Sequence, residues 1–319
     1  MFTSGRSGHT INQLPRNLNI FDPGNQQQAT KPMLYSYRRR VAAGRISFGA
    51  PHTVEIATIT DLYRSRHLIA TLTARDLKAR YRGSALGYFW SLANPLLLLV
   101  VYTVVFTRFF PRPEVEPYAV FLFTGILPWT FFAGAVLEAT SSIISNGGLL
   151  KKVMFPAETL PIVVVLSHLV HFVLAIPILL GSIILGAILS DVPITGWMLF
   201  APAIMILQTV FVIGVTLVTS SSAVLFRDLR DIVANLLNLG FFLTPIIYSI
   251  DSSFIHPAIR ILLRLNPVTP FVLGFQAVFF LGRLPSTTDL VLMIFYAGAS
   301  LWLGLTVFER LRDTLAEAI

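Results

Sequence analysis

The 319-residue chain has no cysteine and few charged residues. The lack of cysteine excludes disulfides, thiolate metal ligands and a cysteine nucleophile. Only 13% of the residues are charged, whereas 55% are hydrophobic and the mean hydropathy is +0.72. That composition leaves too little polar surface to cover a soluble globular protein. We therefore expect most of the chain to lie in a lipid bilayer.

Several catalytic motifs are also missing from the sequence. There is no G-x-x-x-x-G-K-[ST] loop, no G-x-S-x-G or H-E-x-x-H motif, and no D-x-D pair. The first of these cradles the phosphates of ATP, and the others are typical of hydrolases and metal-dependent glycosyltransferases. We therefore predict that the chain is not an enzyme, cannot hydrolyse ATP by itself, and has no catalytic residue, metal site or cofactor of its own.

Long, continuous apolar runs predict an all-α polytopic membrane protein. About 20 apolar residues cross the bilayer as a helix, whereas a β-barrel strand would alternate polar and apolar residues. We predict six spans, at residues 88–109, 118–138, 161–189, 197–225, 232–250 and 288–308. Between the last two, the apolar stretches 254–265 and 268–281 are separated by Asn266 and Pro267. We expect these stretches to form two short re-entrant helices on one side of the membrane.

The distribution of basic residues sets the orientation. Nineteen of the 24 Lys and Arg residues lie on the side that carries the amino terminus, so the positive-inside rule places both termini in the cytoplasm. The net charge of +8 is then a topology signal, and nucleic-acid binding is a poor alternative. Residues 1–56 are rich in Asn, Gln, Gly, Pro and Ser and predict a mostly disordered cytoplasmic tail. Residues 57–319 form the predicted transmembrane domain.

A basic segment, residues 61–82, precedes the first predicted span. Arg64, Arg75, Lys78 and Arg82 gather on one face of a helical wheel, and Leu62, Ile69 and Leu72 lie on the other. The segregation is imperfect, because Arg66, Asp76 and Arg80 fall near the apolar side. This pattern predicts an amphipathic helix along the cytoplasmic interface. The pattern alone leaves open whether the helix is an anchor or sits between the membrane and a soluble partner.

A second cytoplasmic segment joins the second and third predicted spans. It comprises Leu149, Leu150, Lys151, Lys152, Val153, Met154, Phe155 and Pro156. A short helix with this many apolar side chains has little of its own to bury them against, which favours docking into a partner protein. The alternative is that the segment folds back on its own spans.

Few ionisable residues lie within the predicted spans. His168 and His171 share a helix face, and we interpret them as a packed or hydrogen-bonded pair rather than a metal or proton site. Glu138 is interpreted as an interfacial cap or ion-pair partner. Aromatic residues at mid-depth either face lipid or line a path for a substrate with apolar sugar faces. These residues are Tyr102, Phe106, Phe131, Phe241 and Phe242.

The stretch RDLKARYRGSALGYFWSLANPLL, residues 75–97, resembles the opening of the membrane subunits of type-2 ABC exporters for O-antigen, teichoic acid and related polysaccharides. The resemblance continues in order through LLKKVMFPAETLP, FRDLRDI, FFLTPIIY and NPVTPFVLGFQAVF, and covers about residues 60–315. Residues 1–51 form a longer tail than the family leads us to expect. The resemblance therefore implies nothing about that tail.

The resemblance implies a homodimer of six-span subunits in the plasma (inner) membrane of a bacterium, with two copies of a separate ATPase subunit that binds ATP and Mg. It implies that residues 61–82 form a cytoplasmic gate helix, 149–156 the coupling helix, and 254–281 a pair of periplasmic gate helices. A lipid-linked glycan would enter near Arg75, Lys78, Arg80 and Arg82, whose guanidinium and ammonium groups suit a pyrophosphate. The glycan, whether O-antigen, teichoic acid, capsule or cell-wall galactan, stays open. Two alternatives also stay open, namely an ABC permease for a drug, lipid or other small amphiphile, and a membrane enzyme of lipid-linked sugars.

Overall fold

The computed structural model describes residues 65–82, 115–148, 156–190, 192–226, 228–253 and 255–318, with eight isolated positions between 89 and 105. Within these residues the secondary structure is helical and contains no β-strand, so the all-α prediction is confirmed for them. The helices are α1 (Arg66–Tyr81), α2 (Tyr118–Thr140), α3 (Ser142–Ser145), α4 (Thr159–Ser190), α5 (Ala201–Leu225), α6 (Leu229–Phe242), α7 (Pro257–Leu265), α8 (Thr269–Phe279) and α9 (Thr287–Ala318). A short 3₁₀-helix, Gly196–Phe200, leads into α5.

Four helical segments are long and apolar enough to cross a membrane. They are Tyr118–Thr140, Thr159–Ile188, Gly196–Leu225 and Thr287–Arg312. Their positions agree with the second, third, fourth and sixth predicted spans. The first predicted span, residues 88–109, lies outside the described residues apart from the isolated positions, and so does the predicted tail. Counting the bent helix pair described below as one span gives at most five within the described part of the chain.

The fifth predicted span, residues 232–250, is wrong as a continuous helix beyond Phe242. Helix α6 has 14 residues and is therefore about 21 Å long, shorter than the hydrocarbon layer of about 30 Å. Pro245 lacks a backbone N–H and disfavours helical geometry at Thr244 before it. The backbone turns there instead, with the Thr244 hydroxyl donating to the Gly240 carbonyl at 2.8 Å.

The two short helices predicted after this turn are present as α7 and α8, which meet at an angle of 100°. Asn266 holds the corner between them. Its amide nitrogen donates to the Leu243 carbonyl at 3.2 Å and to the Thr244 hydroxyl at 3.0 Å, and its amide oxygen accepts from Val268 N at 3.1 Å. One side chain therefore ties the corner to the turn that ends α6.

Helices α2 and α8 form the centre of the core. Aromatic rings stack between helices, with Phe132 on Phe211 at a centroid distance of 5.6 Å and Phe211 on Phe271 at 5.1 Å. Two buried side-chain amides donate hydrogen bonds to proline carbonyls. Gln208 donates to the Pro128 carbonyl at 2.8 Å, and Gln276 donates to the Pro245 carbonyl at 2.9 Å. Such bonds stabilise helix contacts where no water can reach.

Helices α5 and α9 approach at backbone distance. A Cβ atom added to Gly214 would lie 2.2 Å from the Ser300 carbonyl carbon, and one added to Gly304 would lie 2.5 Å from the Gly214 carbonyl oxygen. Only glycine fits at these two positions, as is common where membrane helices pack closely. This contact fixes α9 beside α5 and thereby sets the position of the carboxyl-terminal end of α9.

Candidate functional site

Helix α1, the described part of the predicted gate helix, packs lengthwise against α4. Its apolar residues Ile69 and Leu72 contact a small cluster at the start of α4 that contains Ile162, Val163 and Leu166. Ile69 is buried, and the spacing of three residues between Ile69 and Leu72 puts both on one helix face. The apolar stripe seen in the sequence therefore rests on protein in this structure.

Arg80 explains why the amphipathic pattern of α1 is imperfect. Its Nε donates to Asp76 Oδ2 at 3.0 Å, one helical turn away, and its Nη2 donates to Glu138 Oε1 near the end of α2. Burial by itself would lower the pKa of Arg80, but the hydrogen bond and charge of Glu138, together with Asp76, raise it. Arg80 therefore stays charged and connects α1 to α2.

Glu138 extends this connection to α4. Its Oε2 lies 2.9 Å from His168 Nε2, so one carboxylate binds a cation from α1 and an imidazole from α4. The His168 ring lies over Gly134, where an added Cβ would be 2.8 Å from its Cε1 atom. We call Arg80, Asp76, Glu138 and His168 the gate cluster.

His171, one turn further along α4, makes a separate contact with the same helix α1. Its Nε2 lies 2.7 Å from the Tyr81 hydroxyl, and its ring meets that of His168 edge to face at 6.0 Å. The edge-to-face contact agrees with the interpretation of a packed or hydrogen-bonded pair, and each ring bonds to a different partner, His168 to Glu138 and His171 to Tyr81. Within the described residues, no group of three or more His, Asp or Glu side chains is arranged to hold a metal ion.

The other basic residues predicted for substrate entry have different surroundings from Arg80. Arg75, Lys78 and Arg82 are exposed, whereas Arg80 is half-buried in the gate cluster. The structure thus separates one arginine that holds the helix in place from three basic side chains that face outward. The exposure of these three side chains is compatible with charge-assisted contacts to a phosphate.

The predicted coupling segment falls largely outside the described residues, which resume at Pro156. Its flanks are described on both sides. Ile143 before it is buried against Leu217, Leu305 and Phe308 of α5 and α9. After it, Glu158 is 1% exposed, and its Oε1 lies 3.4 Å from Arg312 Nη2 near the end of α9. The two described flanks of the predicted segment therefore contact α5 and α9.

The aromatic residues predicted to line a path differ in exposure. Phe131 is 3% exposed and stacks on Phe172 at 5.5 Å, so its ring is enclosed within the chain. Phe241 is half-buried against Trp129, and Phe242 is 64% exposed. Tyr102 and Phe106 lie outside the described residues. A lining role for these residues stays a prediction, and the exposed surface of Phe241 and Phe242 suits it better than the buried ring of Phe131 does.

The members of the gate cluster lie up to 92 positions apart, so no local sequence pattern connects them. A signal was nevertheless present, because Asp76 and Arg80 fall near the apolar side of the helical wheel. A pair of opposite charges at i and i+4 on the face that packs against protein indicates a buried partner on another helix. Glu138, at the end of the second predicted span, was a candidate for that partner.

Comparison with known proteins gives a consistent family assignment. The family model described as ABC-2 type transporter matches residues 67–280. An O-antigen export system permease protein RfbA of Myxococcus xanthus is 37% identical over 264 residues, which cover 83% of this chain and 100% of that protein. A protein of the same name from Klebsiella pneumoniae is 32% identical over 253 residues, covering 79% of this chain and 95% of that protein.

Proposed function

This chain belongs to the ABC-2 type transporter family, and from that premise we propose that it is the membrane-spanning subunit of an exporter for a lipid-linked polysaccharide. Export is driven by ATP hydrolysis on a separate subunit, which holds ATP and Mg. The observation that carries the proposal is the match over the whole length of an O-antigen export permease. The named relatives favour a polysaccharide over a drug or small lipid, and they are permeases rather than enzymes.

The proposed assembly contains two copies of this chain and two copies of the ATPase in the inner membrane. Each copy has six spans, the fifth being α6 together with the turn that follows it; both termini lie in the cytoplasm, and α7 and α8 are the re-entrant gate helices on the periplasmic side. The bend of 100° between them supports this assignment, because such a corner is tolerated at membrane depth only where protein or water satisfies the backbone.

Entry of the substrate is assigned to the outer face of α1. The pyrophosphate of the lipid-linked glycan contacts Arg75, Lys78 and Arg82, which are exposed along one side of that helix. Arg80 takes a different role from the one expected, because its guanidinium is bound by Asp76 and Glu138. We assign it to positioning α1 against the transmembrane helices.

Coupling to ATP hydrolysis is assigned to residues 149–156. When the ATPase displaces this segment, the movement is transmitted to the start of α4. Glu158, immediately before α4, binds Arg312 of α9. Because Ile69 of α1 packs against the same end of α4, the displacement is also transmitted to the gate helix. The coupling segment and α1 both contact α4, and this shared contact favours a gate that moves together with the ATPase.

Reconstitution tests the proposal. The chain and its ATPase are purified together and placed in proteoliposomes that carry a lipid-linked O-antigen labelled in the glycan. We expect ATP to expose the glycan to an external glycosidase, with a complex containing a hydrolysis-deficient ATPase as the control. ATP-dependent movement of a small fluorescent lipid without any exposure of the glycan would contradict the polysaccharide assignment.

A further inference from the structure

Helix α7 has an unusual distribution of side chains. The apolar residues on its outer side are exposed, namely Ile259, Ile261, Leu262 and Leu265. Arg260 and Arg264, one turn apart, are instead half-buried on the side towards the chain. An exposed apolar face with adjacent basic residues is typical of a helix that lies in the membrane interface, at the depth of the lipid headgroups.

The two arginines are incompletely satisfied by protein. Arg260 Nη2 donates to the Ser252 carbonyl at 3.2 Å. The Nε atoms of Arg260 and Arg264 are buried and have no hydrogen-bond partner among the described residues. No carboxylate in the described part of the chain forms an ion pair with either arginine, as the ion pairs found there involve Arg80, His168 and Arg312. A guanidinium with an unpaired buried donor and no carboxylate partner is costly, and an anion that meets its remaining N–H groups would stabilise the charge.

The local charge also favours an anion. Between residues 244 and 286 the sequence has three arginines but one acidic residue, Asp251. This excess of positive charge lies on the predicted periplasmic side of the membrane, and basic residues are otherwise scarce on that side. Residues at i and i+4 have Cβ atoms about 6 Å apart, so both guanidinium groups can reach one phosphate. Their planar forks suit phosphate oxygens better than a lysine ammonium does.

We propose that Arg260 and Arg264 bind the phosphate of a bilayer phospholipid. The apolar side of α7, with Ile261 and Leu262, contacts the acyl chains of the same leaflet. The chemistry of the site would accept any phosphate-bearing headgroup. Its interfacial depth favours a phospholipid of the membrane over free phosphate. A bound lipid of this kind anchors α7 to the segment that leads into it, because Arg260 also donates to the Ser252 carbonyl.

Native mass spectrometry of the full chain in detergent tests this site. The probe is phosphatidylglycerol, and the reference is a galactosyl diacylglycerol, which has no phosphate. We expect phosphatidylglycerol to bind more tightly than the galactolipid, and Arg260→Gln with Arg264→Gln to raise its Kd about tenfold, a loss of about 1.4 kcal/mol. The matched control is Arg283→Gln, which removes an exposed arginine from the same region and should leave the Kd unchanged.

Further measurements distinguish a bound phospholipid from other occupants of the site. Inorganic phosphate in millimolar amounts should not displace the phospholipid, and displacement would indicate a free-anion site and overturn the assignment. Equal binding of the galactolipid, or an equal loss in Arg283→Gln, would also overturn it. If the double substitution altered oligomeric state while lipid binding stayed the same, a second copy would cover this face instead. Arg264→Lys keeps the charge and fold, and should still raise the Kd because the fork is lost.

Discussion

Glu158, immediately before α4, and Arg312, near the end of α9, form an ion pair across 154 positions of sequence. Arg312 Nη2 lies 3.4 Å from Glu158 Oε1, and the Glu158 side chain is 2% exposed whereas that of Arg312 is 47% exposed. A buried carboxylate is thus met by a cation that remains in contact with solvent. This pair joins the flank of the predicted coupling segment to the last helix.

Replacement of Arg312 by Gln should destabilise the subunit, because the Glu158 carboxylate stays buried without this cation. We expect a loss of about 1–2 kcal/mol, reduced from the cost of a fully buried pair because Arg312 is half exposed. Thermal unfolding of the purified chain in detergent measures the fall in Tm. Arg310→Gln removes an exposed charge two residues away and is the matched control. Equal Tm values for the two variants would contradict the role of the pair.

Arg80 and Arg75, on the same helix, should give opposite results when each is changed to Gln. Arg80→Gln removes the link from α1 to Glu138, with an expected loss of about 1–2 kcal/mol and faster hydrogen exchange in peptides that cover α1. Arg75→Gln should leave exchange unchanged, since Arg75 is exposed, but should weaken transport of the lipid-linked glycan. Identical exchange in both variants would argue against the gate cluster as the support of α1.

Phe155 lies in the predicted coupling segment, outside the described residues. Phe155→Asp places a charge in the proposed apolar contact with the ATPase, where an unpaired carboxylate is costly to bury. We expect loss of the ATPase during co-purification, while the Tm of the isolated chain is unchanged. Phe226→Asp is the control, as Phe226 is 65% exposed on the same predicted side of the membrane. An ATPase that stays bound to Phe155→Asp would refute the assignment of the segment.

Gly214 and Gly298 offer a test of the contact between α5 and α9. Gly214→Ala places a methyl group 2.2 Å from the Ser300 backbone and should cost about 3 kcal/mol, since a backbone contact cannot give way as a side chain does. Gly298→Ala on α9 has no atom within 4 Å of the added Cβ and should be neutral or slightly stabilising. The test compares the midpoints of thermal unfolding of the Gly214→Ala and Gly298→Ala variants. A stable Gly214→Ala chain would mean that the helices can separate at little cost.

The sequence predicted helices well where a long apolar run is bounded by polar residues. The spans 118–138, 161–189, 197–225 and 288–308 all match observed helices, because burial of 20 or more apolar residues in lipid leaves the backbone no other way to satisfy its hydrogen bonds. The fifth predicted span failed at Pro245, although that proline was visible. Apolar residues continue through the turn, and hydropathy alone does not distinguish a helix from a turn whose carbonyls are satisfied by Asn266 and Gln276.

The sequence by itself determined the all-helical membrane character, the basic helix before the first predicted span, and the absence of a phosphate-binding loop for ATP. These follow from composition, periodicity and local motifs. The tertiary structure decided which polar residues meet. It paired Arg80 with Glu138 and Glu138 with His168, and it left Arg75 facing outward. Such pairings depend on how helices that are far apart in sequence pack together. That packing uses close backbone contacts at glycines and stacked aromatic rings, which no local sequence pattern contains.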